Sequence, residues 1–221
     1  MIPVRLPIVL AVAASAALPA AAHAATWAQQ PGRCYVSVGA ADDQRQAVPI
    51  EVDGFAPSST VDVVVDGVDV ADVIADSRGH VSGAVRAPYQ ASGRRPFAIT
   101  VSERGNPANA VTASPLVTAL EVTLKPALAA PSTRVRFRGA GFTARRPVWA
   151  HYVFHGKLRR TVRLARPHGA CGRFAARRRQ IPLTRPHTGR WTVQFDQQKA
   201  YAPVPSTVFV RYTIDVRPRA T

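Results

Sequence analysis

Apolar and polar residues alternate with period two along most of this chain, and helical periodicity is scarce. In Thr133-Arg134-Val135-Arg136-Phe137-Arg138 every second residue is apolar and every other one basic. That pattern predicts a strand with one buried and one wet face, because successive side chains of a strand point to opposite sides. Residues 149–155, 189–195 and 208–214 repeat the signal in the second half of the chain, as do 47–52, 60–65, 80–85 and 96–101 in the first. Turn chemistry punctuates the runs. Asp66-Gly67 suits a type I′ hairpin, which needs positive φ at both central residues, and Asp76-Ser77-Arg78-Gly79 suits a type I turn. Short strands separated by such turns predict an all-β protein of antiparallel sandwiches.

The two halves resemble one another. Gly54-Phe55 is followed by a strand opening at Val61, and Gly141-Phe142 by a strand opening at Val148. Further on, Gly79 and Gly83 precede Pro88, as Gly169 and Gly172 precede Pro182, and Gly93-Arg94 and Gly189-Arg190 each lead into an apolar run. An offset of roughly 90 residues is the length of one immunoglobulin-type sandwich. The expected organisation is therefore a leader over residues 1–24, one sandwich over 26–118 and a second over 119–221, with the connection near Ser114-Pro115-Leu116-Val117-Thr118. That connection is short and has no Gly/Ser run, which predicts units held close together.

Gly54-Phe55-Ala56-Pro57 through Val61-Asp62-Val63, and more clearly Phe137-Arg138-Gly139-Ala140-Gly141-Phe142, resemble the Gly-x-Gly-Phe element of bacterial immunoglobulin-like domains of the IPT/TIG kind. Ala130-Pro131-Ser132 stands where many such domains carry a Gly-Gly-Thr turn. The resemblance implies two tandem immunoglobulin-like β-sandwiches that serve as structural, adhesive or ligand-displaying modules. It supplies no catalytic residue.

Charge divides the halves into chemically different modules. Residues 26–118 hold 7 Lys+Arg against 10 Asp+Glu, a net −3, while residues 119–221 hold 21 against 3, a net +18. The second value lies well beyond the ~2–8 that solubility asks of a small domain. If Val135 and Phe137 face inward, Arg134, Arg136 and Arg138 face outward together. By the same alternation Ala150, Tyr152 and Phe154 are core, and Trp149, His151, Val153 and His155 lie outside. Arg159, Arg160, Arg163, Arg177, Arg178, Arg179, Arg190 and Arg211 would extend a positive surface around Trp149. The candidate ligand-binding set is Arg134, Arg136, Arg138, Trp149, Arg163, Arg177, Arg179 and Arg211. Clustered guanidinium groups grip phosphate, sulfate or carboxylate and displace counterions. A plain solvated face is the competing reading.

Arg5, the apolar run Ile8-Val9-Leu10-Ala11-Val12-Ala13-Ala14 and Ala22-His23-Ala24 predict a cleaved secretory leader, hence a secreted or envelope-associated protein. No later apolar run is long enough to span a bilayer. In that compartment Cys34 and Cys171 form one disulfide across the two halves, stay as separate thiols, or pair between chains. Asp62, Asp66, Asp69, Asp72 and Asp76 are close in sequence and could supply hard oxygen ligands for Ca²⁺, but they form no calcium-loop motif, and hairpin turns and wet strand faces explain them at least as well; no metal and no cofactor is expected. His151 and His155 on a strand stand ~13 Å apart, too far for one zinc. There is no Gly-x-Ser-x-Gly elbow, no His-Glu-x-x-His and no phosphate-binding glycine loop. The second half has only Glu121, Asp196 and Asp215 as acids; a pair such as Asp196 and Asp215 could be assembled in space, but a sandwich strand end is the more common place for either.

These readings predict a non-catalytic binding module whose basic half docks on an anionic cell-envelope polymer or an acidic protein, and meets nucleic acid only non-specifically. A purely architectural or adhesive protein is the alternative, and a carrier of small apolar ligands a third class. A continuous arginine face, an exposed edge strand and an enclosed cavity would distinguish them in turn.

Overall fold

The computed structural model describes residues 24–217. The leader expected over residues 1–24 falls outside them, except for its last residue. The described residues form strands throughout, with a single short 3-10 turn at Asp42–Gln44, and none of their helices is long and apolar enough to cross a membrane.

The first unit contains β1 (Thr26–Gln29), β2 (Cys34–Ser37), β3 (Ala47–Asp53), β4 (Thr60–Val65), β5 (Val68–Ile74), β6 (Val81–Arg86), β7 (Arg94–Pro96), β8 (Ile99–Glu103), β9 (Asn106–Ala113) and β10 (Leu116–Ala119). One sheet has the order β1-β3-β6 and a second β5-β4-β8-β9; β2-β10-β7 forms a third, in which β2 and β10 run parallel. The expected strand 96–101 is broken. Pro96 ends β7 and Phe97 turns into the core, while the Ala98 backbone bonds to Asp66 instead of to a neighbouring strand: Ala98 N–H donates to Asp66 Oδ1 at 3.0 Å and Asp66 N–H to the Ala98 carbonyl at 3.0 Å. Val48, Ile50, Val52, Val61, Val63, Ile99 and Val101, the alternate residues of β3, β4 and β8, fill the space between the sheets.

The second unit contains β11 (Glu121–Lys125), β12 (Arg134–Ala140), β13 (Val148–Phe154), β14 (Lys157–Ala165), β15 (Phe174–Arg179), β16 (Gly189–Asp196) and β17 (Val210–Val216). A sheet ordered β11-β12-β15 packs over one ordered β14-β13-β16-β17. Their inward residues, among them Leu124, Val135, Phe137, Ala150, Tyr152, Trp191 and Phe195, form one core. The fold is thus all-β, built from tandem antiparallel sandwiches.

The internal repeat has identifiable landmarks. Phe55 and Phe142 are buried at 4% and 3% exposure. Each is followed by a hairpin whose two central residues have positive φ, Asp66-Gly67 (51° and 80°) and His155-Gly156 (48° and 74°). Each phenylalanine also lies under a glycine of a later turn. A Cβ on Gly79 would stand 2.0 Å from the Phe55 carbonyl oxygen, and one on Gly172 1.5 Å from that of Phe142. The glycine carbonyls in return accept from the phenylalanine N–H groups, at 3.1 and 3.4 Å. Gly79 therefore corresponds to Gly172, not to Gly169 as the sequence spacing suggests.

Ser114-Pro115-Leu116-Val117-Thr118, read from sequence as the connection, instead leads into and largely forms β10. Leu120 alone separates β10 from β11, and its N–H donates to the Ser37 carbonyl at 3.0 Å. Cys34 of β2 and Cys171, in the turn before β15, form a disulfide with Cα atoms 5.2 Å apart. The alternatives of separate thiols and interchain pairing are not what the structure contains. The Cys171 carbonyl accepts from Gly141 N–H at 2.9 Å, so the bridge ties β2 to the turn that also packs on the Gly141-Phe142 element.

Candidate anion-binding face

The outward side of β11-β12-β15 is assembled by simple alternation. Val122 and Leu124, Val135 and Phe137, and Phe174 and Ala176 face the core, which turns Thr123 and Lys125, Arg134, Arg136 and Arg138, and Ala175, Arg177 and Arg179 to solvent. Register then sets these side chains in rows across the sheet. Arg134 pairs with Arg179; Lys125, Arg136 and Arg177 form a row of three cations; Thr123, Arg138 and Ala175 form the next; Glu121 lies opposite Ala140 at the far end. Neighbours in a row are ~4.8 Å apart and successive rows ~6.6–6.8 Å apart.

None of Arg134, Arg136, Arg138, Arg177 and Arg179 has a carboxylate partner among the described residues. The first unit behaves differently. There Arg95 bonds Asp66 at 2.7 Å, and Arg104 bonds both Asp62 and Asp72 at 2.6 Å. Asp62, Asp69 and Asp72 do come together, with ligand atoms within 4.8 Å, and Arg104 pairs with two of them, Asp62 and Asp72.

Two adjoining depressions open on the basic face and share Arg136 and Arg138. One, of about 460 Å³, is bounded by Glu121, Thr123, His168 and Arg173; the other, of about 600 Å³, by Lys125, Arg134 and Arg177. His168 and Arg173 pair with each other across the turn that holds Cys171. Sequence reasoning missed Lys125, His168 and Arg173. The alternation of Glu121-Val122-Thr123-Leu124-Lys125 was a usable signal for the first; the other two reach the face only through the turn's three-dimensional course.

Trp149, Arg163 and Arg211 do not join this face. Trp149 is half-buried, and its cross-strand partners are Arg163 and Asp196 on the outer side of β14-β13-β16-β17, the opposite side of the sandwich. Arg211 is engaged there: its Nε donates to Gln194 Oε1 at 3.2 Å, Nη2 bonds the Pro203 carbonyl, and the guanidinium lies 5.0 Å from the Phe209 ring centre. The single positive surface expected around Trp149 is thus two surfaces, because β12 and β13 belong to different sheets.

The outer side of β13 also departs from expectation. His151 and Val153, read as exposed, are buried at 0% and 6%. The segment 197–209 crosses back over His151, with the Tyr201 ring centre 5.6 Å from the imidazole. His151 Nε2–H donates to Asp196 Oδ1 (3.2 Å) and to the Gln198 carbonyl (3.1 Å), and Nδ1 lies 3.0 Å from Thr161 Oγ1. Gln194 Nε2 donates to Asp196 Oδ2 at 2.9 Å and Gln198 N–H to Oδ1 at 2.8 Å. Burial pushes the Asp196 carboxyl up, yet the bonds from His151, Gln194 and Gln198 outweigh it and hold it below the usual carboxylate range. The hydroxyl–imidazole–carboxylate order has the look of a proton relay, but neither depression of the basic face reaches it. Its place under the 197–209 segment is that of a structural polar core. Asp215, expected as a possible partner of Asp196, sits at the other end of the β16–β17 ladder beside Arg190 at 3.4 Å.

No protein-family model and no curated protein matches the chain. Among solved structures it is similar to two crystal structures of Parabacteroides merdae beta-glucuronidase, one with glycerol in the active site, at 13% identity and TM-scores of 0.31 and 0.30; these cover 85% and 84% of this chain and 25% of each enzyme chain. It is also similar to SGBP-B of the Bacteroides ovatus mixed-linkage glucan utilization locus, in complex with a mixed-linkage heptasaccharide, at 12% identity and a TM-score of 0.25, over 92% of this chain and 46% of that one. The chain therefore spans about a quarter of the glucuronidase chains and under half of the glucan-binding one. At these TM-scores the likeness assigns no function.

Proposed function

We propose that this protein is an exported, non-catalytic binding module that docks on an anionic cell-envelope polymer through the β11-β12-β15 face. The observation that carries the reading is the row arrangement itself: Arg134 opposite Arg179 and Arg136 opposite Arg177, with no carboxylate partner among the described residues. Like charges directly opposite one another destabilise a sheet, and an external anion removes that cost. Guanidinium forks meet phosphate, sulfate and carboxylate with two parallel hydrogen bonds, so the same groups supply affinity and orientation. The IPT/TIG resemblance belongs to the proposal as well, since it implies display modules of this build, as does export through the leader. An acidic protein partner would use the same groups.

Titration of the full chain against heparin at several salt concentrations tests the reading. Affinity should fall steeply with salt, and replacing Arg134, Arg136 and Arg138 together by Ser should flatten the log–log slope by roughly two to three, at ~0.7–0.9 per lost contact. An unchanged slope, or no binding at low salt, rejects the face as a site and leaves the architectural alternative.

A further inference from the structure

Resting on that reading, we propose that the ligand of the basic face is a ring-free phosphodiester polymer with a three-carbon polyol repeat, lying extended along β12 with successive phosphates at the Arg134, Arg136 and Arg138 rows. The first support is commensurability. Same-face residues of a strand are separated by about six covalent bonds, and an extended peptide reaches ~3.3–3.6 Å per three bonds, giving ~6.6–7.2 Å between rows. A polyol phosphate with a three-carbon repeat also places about six bonds between phosphorus atoms, so its charges step at the same interval by the same geometry. Polyphosphate, with about two bonds per charge, is too dense for the rows, and a five-carbon polyol phosphate, with about eight, falls out of step after one of them.

Second, the strands of the face turn no ring to solvent, and the one exposed ring that lines its depressions is the His168 imidazole, in the turn before β15. The outward positions of β11, β12 and β15 carry Arg, Lys, Thr, Glu and Ala, while the aromatic rings of this sheet, Phe137 and Phe174, are buried at 0% and 4%. Single-stranded nucleic acid shares the six-bond repeat but draws its affinity largely from bases stacked on aromatic side chains. A pyranose likewise presents an apolar C–H face that gains from an aromatic platform. Charge without rings selects a polymer that carries charge without rings.

Third, the cross-strand pairing matches a tetrahedral diester better than a planar carboxylate. A phosphodiester has two non-bridging oxygens pointing to opposite sides of the chain. At the Arg134/Arg179 and Arg136/Arg177 rows a guanidinium stands ready for each of them, while a carboxylate is filled by one fork. At the Arg138 row the opposite position is Ala175, and Thr123 and Glu121 follow, placing a hydroxyl and a carboxylate where a polyol hydroxyl needs hydrogen-bond partners.

The test is equilibrium binding of the full chain to poly(glycerol phosphate), poly(ribitol phosphate), polyphosphate, polygalacturonate, heparin and oligo(dT), matched in charge number and at one ionic strength. Poly(glycerol phosphate) should bind about tenfold or more tightly than each of the others, and Arg136→Ser, at the central row, should remove about tenfold of that, with the thermal unfolding midpoint kept as the check of folding. Arg163→Ser, on the opposite side of the sandwich, should leave it unchanged. Equal affinity for the glycerol and ribitol polymers overturns the commensurability. Tighter binding of oligo(dT) or polygalacturonate overturns the ring-free assignment while the anion-binding face stands. Failure of every polymer to bind at low salt overturns the proposed function itself.

Discussion

Replacing Asp196 by Ala should be among the most damaging single changes in the second sandwich. His151 and Asp196 are both 0% exposed, and the Asp196 carboxylate is the acceptor for His151 Nε2–H, Gln194 Nε2–H and Gln198 N–H. Truncation removes an acceptor from three donors beneath the 197–209 segment, of which His151 Nε2–H keeps the Gln198 carbonyl and Gln194 Nε2 the Ala202 carbonyl. Breaking a buried pair by removing one partner costs ~3–5 kcal/mol, and each unsatisfied buried group about 1–3 kcal/mol, partly recovered as Gln198 and Gln194 find water. A loss of about 3–5 kcal/mol in urea unfolding is the expected result. Replacing both Asp196 and His151 by Leu should cost less than the single Ala change, since two apolar groups leave no charge to desolvate. The pH dependence has a definite sign. The folded-state pKa of Asp196 is lowered, so its contribution is fully present above the ordinary aspartate value of about 3.9 and is lost as pH falls through the folded value. Wild type should therefore lose stability on acidification below about pH 4 by more than Asp196→Asn does. A cost under about 1 kcal/mol for Asp196→Ala, or parallel acid titrations of wild type and Asn variant, would show that the 197–209 segment does not seal this group.

Glycine substitutions separate strain from space. Gly156→Ala, at φ 74° with nothing near its Cβ, should cost only ~1–2 kcal/mol, whereas Gly172→Ala, whose Cβ would meet the Phe142 carbonyl at 1.5 Å, should cost distinctly more; equal urea midpoints for the two would place Phe142 away from that turn. The disulfide joins residues 137 apart, so Cys34→Ser should lower stability by up to ~5 kcal/mol in the loop-entropy account, checked by melting with and without reductant. Reductant that leaves the wild-type melt unchanged would refute it.

The period-two pattern determined most of the strands in advance, because side-chain alternation is local and needs no knowledge of neighbours. Arg134, Arg136 and Arg138 are exposed as alternation requires, with Val135 and Phe137 at 0% exposure between them. Asp66-Gly67 adopts its hairpin because its backbone preference is set within two residues. What the sequence could not determine is which strand lies beside which. Arg177 and Arg179 face Arg136 and Arg134 only because β15 pairs with β12, a choice made by the packing of Phe174 and Ala176 into a shared core. Trp149, Arg163 and Arg211, equally polar-faced in sequence, went to the opposite sheet. Alternation also predicts that one side of each strand is wet, and at β13 that fails: a segment whose Gln198 lies 47 residues later covers His151, and no local rule reports a cover that comes from elsewhere in the chain. Cys34 and Cys171 likewise became partners only when β2 of the first sandwich and a turn of the second came within bridging distance, a property of tertiary geometry alone.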